Sequence, residues 1–291
     1  MRLATFTHTG STRIGVVAGE HMVDLTAAAP ELPREMVALL EAGPLALERA
    51  KEAFSGGRAR IPLAEVTLEA PIRRPPKVLA VGLNYADHVR ETGREAPKVP
   101  MIFNKQSTAV IGPTAAIHVP RVSDRVDWEG ELAFVIGKRC RHVPRDRAAS
   151  VIAGYTIVND VSVRDWQMRV PTFTMGKSFD THCPLGPVIV TADEIGDPHA
   201  LDLRTWVNDE LRQSSNTREL IFDCFYLVEH LSTAFTLEPG DVVSTGTPSG
   251  VGAAMNPPTF LTAGDVVRVA IDGIGELHNP VIAEPADTVV Y

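Results

Sequence analysis

Short apolar runs separated by Gly, Pro and Asp dominate the chain after residue 77 and predict a mainly β structure. Strands and long helices do not alternate regularly here, and the main helical pattern covers residues 219–235. A doubly wound parallel sheet is therefore disfavoured, and a sandwich or roll is predicted. The apolar runs lie at residues 78–82, 119, 132–136, 155–158, 188–190, 242–244 and 266–271.

The first part of the chain has a different pattern, with two strands followed by helices. Residues 2–7 and 13–18 predict a β-hairpin around a turn. Between residues 32 and 54 the apolar spacing lengthens towards that of a helix, and Pro44 favours the start of a second helix. A small α+β unit is therefore predicted at the start of the chain.

A proline-rich joint follows this helical region. Pro71, Pro75 and Pro76 fall within six residues and interrupt any regular element. We place a domain boundary there, which gives a small N-terminal domain at residues 1–73 and a larger domain at residues 74–291.

Charge and composition restrict the class of function. The chain of 291 residues carries a formal net charge of −8, and its 44% hydrophobic content is that of a globular protein. No run of Lys or Arg forms the basic stripe of a nucleic-acid-binding protein, so no nucleic-acid partner is expected. An apolar stretch of about 18 residues, which a membrane span needs, does not occur, so no membrane partner is expected.

The three cysteines indicate a reducing compartment. Cys140, Cys183 and Cys224 are far apart and odd in number, so they form neither a disulfide framework nor a Cys-x-x-Cys motif. The N-terminus lacks the apolar core of a secretory signal. We therefore expect a cytoplasmic protein with inert thiols.

Two glutamates open a strand in the larger domain. Glu129 and Glu131 are two residues apart, so in a strand they share one face, about 7 Å apart. Residues 132–136, which follow, are apolar on both faces. Two carboxylates near such an interior repel each other, and a divalent cation is the simplest compensator. The alternative, which is commoner for a lone Glu-x-Glu pair, is two solvated acids at a strand end.

A third acid, Asp160, follows the strand pattern of residues 155–159. If Asp160 meets the two glutamates, all ligands at the site are carboxylates. Oxygen donors without His or Cys favour Mg²⁺ or Mn²⁺ over zinc. Three carboxylates also leave coordination positions for water or for a substrate that binds through two oxygens.

Arg164 and Gln167 are three residues apart and share one face if a helical turn begins after Asp160. Arg can hold a carboxylate through two parallel hydrogen bonds, and Gln adds a donor. Both are therefore candidates for substrate binding. A surface arginine beside Asp165 is the alternative.

Lys177 lies in a Gly-Lys-Ser segment that imitates the end of a phosphate-binding P-loop. That loop requires Gly at the position of Pro171, so a P-loop nucleotidase is disfavoured. We expect Lys177 to place its charge near an oxyanion, although a lone lysine is more often a surface charge.

A Gly-rich loop at residues 245–252 follows another strand pattern. Backbone amides and Thr hydroxyls in such a loop can approach an anion closely, which makes Thr245 and Gly246 candidates for substrate binding. On its own, a Gly-rich turn is more often only a turn.

His88 and Glu91 share a face if their segment is helical. A carboxylate beside an imidazole fixes its tautomer and raises its basicity, so the pair is a candidate general base for water. A solvated surface histidine is the alternative.

Together and in this order, these motifs resemble the fumarylacetoacetate hydrolase superfamily from about residue 77 to residue 283. Residues 176–181 and 183–187 particularly resemble its domain-containing protein 2 group. The resemblance implies an α+β, mainly β fold, namely a mixed β-sandwich roll with a small N-terminal α/β domain. It also implies assembly as a homodimer.

The resemblance further implies a role for each candidate residue. Mg²⁺ (or Mn²⁺) would be held by Glu129, Glu131 and Asp160. A dyad of His88 with Glu91 would activate water, on a lid that orders when substrate binds. Substrate oxygens would be held by Arg164, Gln167, Lys177 and Thr245.

The implied substrate is a small-molecule 2-oxo acid that reacts through an enolate, which the metal and Lys177 stabilise. Hydrolysis of a C–C bond in an acylpyruvate of the fumarylpyruvate or fumarylacetoacetate type is the preferred expectation. Oxaloacetate keto–enol tautomerisation, 2-hydroxyhepta-2,4-dienedioate-type isomerisation and oxaloacetate decarboxylation use the same enolate and stay open as alternatives. A remote alternative is a non-catalytic binding protein with a structural metal.

Overall fold

The computed structural model describes residues 1–286, and their architecture is α+β and mainly β, as predicted. A sheet of 12 strands packs against a second sheet of five strands. One hydrophobic cluster contains buried residues of both sheets, among them Phe134 and Val269. The predicted sandwich architecture is therefore confirmed.

The N-terminal part forms the predicted hairpin followed by helices. Its strands pair antiparallel from Leu3 with Val16 to His8 with Ser11. The helical pattern divides at Gly43, where φ is 80°, and Pro44 starts the next helix as predicted. The elements are β1 (Arg2–His8), β2 (Ser11–Ala18), β3 (His21–Asp24), α1 (Leu25–Ala28), α2 (Met36–Glu41), α3 (Pro44–Ser55), β4 (Arg60–Pro62) and β5 (Thr67–Leu68).

After residue 77 each predicted apolar run lies in a strand, and further strands that were not predicted lie between these runs. The strands are β6 (Val78–Gly82), β7 (Met101–Lys105), β8 (Val110–Ile111), β9 (Ile117–Val119), β10 (Val126–Asp127), β11 (Gly130–Ile136), β12 (Ile152–Asn159), β13 (Ser162–Val163), β14 (Cys183–Thr191), β15 (Asp202–Val207), β16 (Glu210–Asn216), β17 (Val242–Ser244), β18 (Val266–Ile271) and β19 (Gly275–Ala283).

Helices are few in this part of the chain. They are α4 (Ala86–Thr92), α5 (Arg164–Gln167), α6 (Thr174–Lys177) and α7 (Cys224–Ala234), with 3-10 turns at Leu63–Glu65, Ser107–Ala109, Arg145–Val151, Thr217–Glu219 and Gly252–Ala254 along the chain. The helix α7 begins later than the pattern at residue 219, because Asp223 caps it by accepting a hydrogen bond from the Tyr226 N–H. Within residues 1–286, none of the helices has the length and apolar character to cross a membrane.

Hydrogen bonds cross the domain boundary predicted near residue 73. The large sheet has the order β4-β3-β2-β1-β14-β12-β11-β17-β6-β7, with β5 on β1 and β8 on β14, and the second sheet has the order β16-β15-β18-β19-β9. In the large sheet, Arg2 lies opposite Val190 and Leu3 opposite Ile189. The N-terminal strands thus extend the sheet of the larger part, and the division into two domains stays a prediction.

Strand pairing brings the candidate site residues to one edge of the large sheet. Antiparallel pairing of β11 with β12 sets Gly130 opposite Asn159, so the residues on either side of this pair meet. The strands β6 and β17 are parallel, so the segments that follow them leave from the same edge. The helix α4 and the Gly-rich loop therefore both start near the beginning of β11.

Candidate metal centre

Three buried carboxylates meet where β11 begins and β12 ends. Glu129, Glu131 and Asp160 each place one carboxylate oxygen within 4.8 Å of the others. The backbone holds them together, because the Asp160 N–H donates to the Glu129 carbonyl at 2.8 Å. The structure therefore gathers the three acids that the sequence analysis selected.

Glu131 is fixed by the end of β17 and by the loop that follows. Its Oε2 accepts hydrogen bonds from the Ser244 hydroxyl at 2.6 Å and from the Gly246 N–H at 2.8 Å. Gly246 has φ of 99°, and a Cβ there would lie 2.8 Å from Cβ of Asn84 and 2.9 Å from the Val81 carbonyl, so only glycine fits. The Gly-rich loop thus serves to orient a carboxylate.

Thr245 and Gly246 are both directed into the protein. The Thr245 hydroxyl donates to the Leu132 carbonyl at 2.8 Å, and Thr245 is fully buried. Thr247, two residues later, does line the cleft described below. Substrate contacts of Thr245 and Gly246 stay predictions, and Thr247 is a loop residue that sequence reasoning missed.

Lys177 lies between two of the three carboxylates. Its Nζ is 2.6 Å from Glu129 Oε2 and 2.8 Å from Asp160 Oδ2, and the residue is 1% exposed. Burial disfavours the ammonium, but the charges of Asp160 and Glu129 outweigh this and raise the pKa of Lys177. The side chain is therefore a fixed cation among the acids.

A second buried lysine, Lys105, was missed by sequence reasoning. Its Nζ is 2.6 Å from Asp160 Oδ1 and 3.3 Å from the Val161 carbonyl, and it also donates to the Lys177 carbonyl. A signal for it exists in β7, since Met101, Phe103 and Lys105 alternate onto one face. Met101 and Phe103 line the cleft, so Lys105 continues that face towards the centre.

Arg164 connects the carboxylates to the loop at residues 250–253. Its guanidinium lies 2.7 Å from Glu129 Oε1, and it contacts Asp127 Oδ2 through Nε at 2.8 Å and through Nη2 at 2.7 Å. It also donates to Gln167 Oε1 at 3.0 Å, so the predicted pair shares a face. Asp127, another residue that was missed, is fully buried and accepts the Gly252 and Ala253 N–H groups at 2.7 and 2.9 Å.

The predicted His88–Glu91 pair forms on α4. Nδ1 of His88 lies 2.9 Å from Glu91 Oε2, and Glu91 Oε1 accepts the Gly250 N–H at 2.8 Å. Asp87 fixes the same helix, because it accepts the His88 N–H at 2.7 Å and the Ser215 hydroxyl at 2.6 Å. The dyad is thus held from both ends of α4.

Nearby cations compensate the negative charge of Glu129 better than that of Glu131. Burial, followed by the charges of Asp160 and Glu129, raises the pKa of Glu131. Burial also opposes ionisation of Glu129, but Lys177 and Arg164 lower the pKa of that carboxyl to about 2. A carboxylate crowded by two others is the condition that a divalent cation relieves. The residues present therefore fit a hard cation such as Mg²⁺ or Mn²⁺, with Glu129, Glu131 and Asp160 as its ligands.

The centre faces an open cleft of about 450 Å³. Polar and charged residues of the centre form its floor, namely His88, Glu91, Glu129, Glu131, Arg164, Gln167 and Lys177. Its walls are largely apolar and include Met101, Phe103, Met168, Phe173 and Val251. Asp160 is fully buried beneath Lys177 and does not line the cleft itself. Two of the three carboxylates, Glu129 and Glu131, therefore border the space that a small molecule can enter.

Residues 77–282 match the family model of the fumarylacetoacetate (FAA) hydrolase C-terminal region. The chain is 45% identical over 288 residues to the mitochondrial oxaloacetate tautomerase fahd2 of Xenopus laevis, which covers 97% of this chain and 90% of the relative.

Two solved structures are also similar. Fumarylacetoacetate hydrolase from psychrophilic Exiguobacterium antarcticum has a TM-score of 0.86 at 38% identity, covering 98% of this chain and 100% of that one. Maleylpyruvate hydrolase from Sphingobium sp. SYK-6, in complex with manganese(II) and pyruvate, has a TM-score of 0.82 at 38% identity with the same coverage.

The cytoplasmic location predicted from the sequence is contradicted by this comparison, since the Xenopus laevis relative is named mitochondrial. The prediction relied on scattered cysteines and on missing secretory and membrane signals. An enzyme of the mitochondrial interior has the same properties, so they do not distinguish the two compartments.

Proposed function

The chain belongs to the fumarylacetoacetate hydrolase family, and from this premise we propose that it catalyses keto–enol tautomerisation of a small 2-oxo acid, oxaloacetate first of all. The observation that carries the proposal is the buried carboxylate triad beneath a cleft, with Lys177 between Glu129 and Asp160. The relative named oxaloacetate tautomerase supports this reaction over C–C hydrolysis, which the sequence analysis preferred.

We propose Mg²⁺ or Mn²⁺ as the cofactor, held by Glu129, Glu131 and Asp160. The all-oxygen donor set supports this choice, as does the manganese(II) in the related maleylpyruvate hydrolase. When bound, such a cation polarises the 2-oxo group and stabilises the negative charge that develops on its oxygen. The homodimer also stays a proposal.

The protein's own cations orient the substrate. Arg164 lies at the cleft floor beside Gln167 and can bind the carboxylate next to the 2-oxo group. Lys177, which is held by Glu129 and Asp160, can donate a hydrogen bond to the 2-oxo oxygen. Both groups are positioned before substrate arrives, so little reorganisation is needed.

The dyad moves the proton. When His88 Nδ1 donates to Glu91, Nε2 is left to accept the proton from C3 of the keto form. The same imidazolium then protonates the 2-oxo oxygen, so that one proton has moved from carbon to oxygen and no bond between heavy atoms has broken. This reaction does not require water, and the apolar side chains of Phe103 and Phe173 line the same cleft as the dyad.

C–C bond hydrolysis is the second candidate function. It is favoured by the similarity to maleylpyruvate hydrolase. In this reaction the dyad would take a proton from a water molecule rather than from C3 of the substrate. The two reactions differ in whether a carbon–carbon bond is cleaved, so their products distinguish them.

The test follows the ultraviolet absorbance of enol-oxaloacetate as it relaxes to the keto form. Metal-free protein, protein with Mg²⁺ or Mn²⁺ and the metal ion alone are compared, with product identification by NMR. The proposal predicts acceleration by the metal-loaded protein beyond that of the metal alone. No acceleration, together with pyruvate release from an acylpyruvate, would establish the hydrolase instead.

The remote alternative, a binding protein with a structural metal, predicts a different pattern. Removing the metal would then lower the melting temperature sharply, and no 2-oxo acid would react. Oxalate, which mimics the enolate of pyruvate, separates the two cases, because an enzyme of the proposed type binds it only with Mg²⁺ or Mn²⁺ present.

A further inference from the structure

Four basic side chains line the cleft, and three of them contact carboxylates of the protein itself. His88 pairs with Glu91, while Arg164 and Lys177 both contact Glu129. The fourth is Arg94, and within residues 1–286 no carboxylate lies at ion-pair distance from it. Its charge is therefore available to a ligand in the cleft.

Arg94 occupies the mouth of the cleft, on the same segment as the dyad. The helix α4 ends at Thr92, and Gly93 takes the left-handed conformation with φ of 64°. The helix therefore ends two residues before Arg94, which is exposed yet still lines the cleft. The site thus has cations at two levels, with Arg164 and Lys177 at the floor and Arg94 at the mouth.

Apolar side chains line part of the cleft between its charged floor and solvent. Met101, Met168 and Phe173 line the same cleft and offer nothing to a charged group. A ligand whose 2-oxo acid end lies on the floor would extend its other end towards these walls. A neutral end gains nothing from Arg94, whereas a carboxylate that reaches the mouth can pair with its guanidinium.

We propose that Arg94 binds the distal carboxylate of the substrate and thereby selects dicarboxylic over monocarboxylic 2-oxo acids. This inference rests on the proposed function, which fixes the orientation of the 2-oxo end. The chain carries a formal net charge of −8, so a cation at the cleft mouth favours the approach of a dianion. Arg also suits a carboxylate geometrically, since its guanidinium donates two parallel hydrogen bonds.

The experiment compares Arg94→Met with wild type on oxaloacetate and on its 4-amide, which lacks the distal charge. Arg94→Met is expected to raise KM for oxaloacetate roughly tenfold or more, with kcat little changed and the amide unaffected. Arg94→Lys should fall between the two, because it keeps the charge but loses the paired hydrogen bonds. The matched control is Arg90→Met, since Arg90 lies on α4 four residues before Arg94 but pairs with Glu219 and does not line the cleft.

A second measurement distinguishes failure of the Arg94 proposal from failure of the proposed reaction. Calorimetry measures the binding of oxalate and of oxaloacetate to the same samples, loaded with Mg²⁺. Oxalate has no distal group beyond the floor, so its affinity should be equal in wild type and Arg94→Met. Equal loss of oxaloacetate and amide turnover, or unchanged oxaloacetate affinity, would overturn the role of Arg94. A wild type that binds oxaloacetate through Arg94 but does not tautomerise it would overturn the proposed reaction and leave Arg94 as the selector.

Discussion

Nζ of Lys105 and Oδ1 of Asp160 lie 2.6 Å apart, and neither side chain is exposed to solvent. The other carboxylate oxygen of Asp160 contacts Lys177 at 2.8 Å. Because Lys105 also donates to the backbone carbonyl of Lys177, it fixes both an acid of the candidate metal centre and the lysine beside it. We infer that Lys105 positions the centre without touching substrate.

Lys105→Met should weaken Mg²⁺ binding about 10- to 100-fold, because a group that orients a ligand is lost. Removing one partner of a buried ion pair should also lower the free energy of unfolding by about 3–5 kcal/mol. Calorimetry with Mg²⁺ and urea unfolding measure the two effects. Lys51→Met is the control, since Lys51 and Asp193 form an exposed pair at 3.8 Å.

A double variant keeps this prediction testable if Lys105→Met folds poorly. Asp160→Asn removes the charge that Lys105 compensates, so the combined variant should regain part of the lost stability while Mg²⁺ affinity stays low. Full Mg²⁺ affinity in Lys105→Met would show that Asp160 needs no such support.

Residues two or three apart, within one element or directly beside it, were predictable from the sequence. Glu129 with Glu131 follows from the period of a strand, and His88 with Glu91 from the period of a helix. In both cases the local spacing determines which side chains share a face. The mainly β fold was predictable for the same reason, because short apolar runs alternate with turn residues along the chain.

Partners that are distant in sequence were not predictable from such patterns. Lys105 meets Asp160 only because β7 and the end of β12 come together in the fold, and a lysine at a strand end normally indicates exposure. Asp127 belongs to the same acidic motif as the two glutamates, but its position there does not predict that it binds Arg164 and the loop at residues 252–253. Likewise, spacing alone does not show that Thr247 faces the cleft while Thr245 faces inward.

Glu131→Gln should abolish most turnover while preserving the fold. Burial and the nearby acids raise the pKa of Glu131, so its ionised form destabilises the metal-free protein at neutral pH. We expect a metal-free melting temperature at least equal to that of wild type, and a much smaller increase on adding Mg²⁺. Thermal unfolding with and without Mg²⁺ measures both.

Glu129→Gln is the matched contrast. The pKa of Glu129 is lowered to about 2, since Lys177 and Arg164 outweigh the effect of burial. Its ionised form therefore stabilises the fold at neutral pH, and the variant should melt below wild type. Equal melting temperatures of the two metal-free variants would contradict this electrostatic account.

His88→Ala should reduce turnover far more than it reduces oxalate binding. A general base typically contributes about 10²- to 10⁴-fold to the rate, whereas oxalate has no proton to transfer at carbon. The comparison is kcat for tautomerisation against the Kd for oxalate in the presence of Mg²⁺. If both fell by the same factor, His88 would be a binding residue. Glu91→Gln should also lower kcat more than it weakens oxalate binding, but by a smaller factor, because the imidazole remains and loses only its charged partner.

His182 should make the protein sensitive to acid. Burial lowers its pKa to about 3 from the ordinary 6.5, while its Nε2 donates to the His118 carbonyl at 2.7 Å. Between these two pH values the unfolded chain binds a proton at His182 and the folded chain does not. The free energy of unfolding therefore falls as the pH drops from about 6.5 towards 3, by on the order of a few kcal/mol. His182→Gln keeps a donor and should flatten the unfolding free energy over this range, whereas His21→Gln, at an exposed site, should not.

Asp87→Asn and Ser215→Ala should loosen α4 and lower kcat without changing Mg²⁺ affinity. Oδ2 of Asp87 accepts the Ser215 hydroxyl from β16 at 2.6 Å, and Oδ1 accepts the N–H of His88. Either variant breaks the contact between this helix and the second sheet, so the dyad is held less firmly over the cleft. Amide hydrogen exchange in residues 85–92 should accelerate in both, and the double variant should be no worse than the stronger single one, because both remove the same bond. Additive losses, or unchanged exchange, would mean that Asp87 acts only as the local cap of α4.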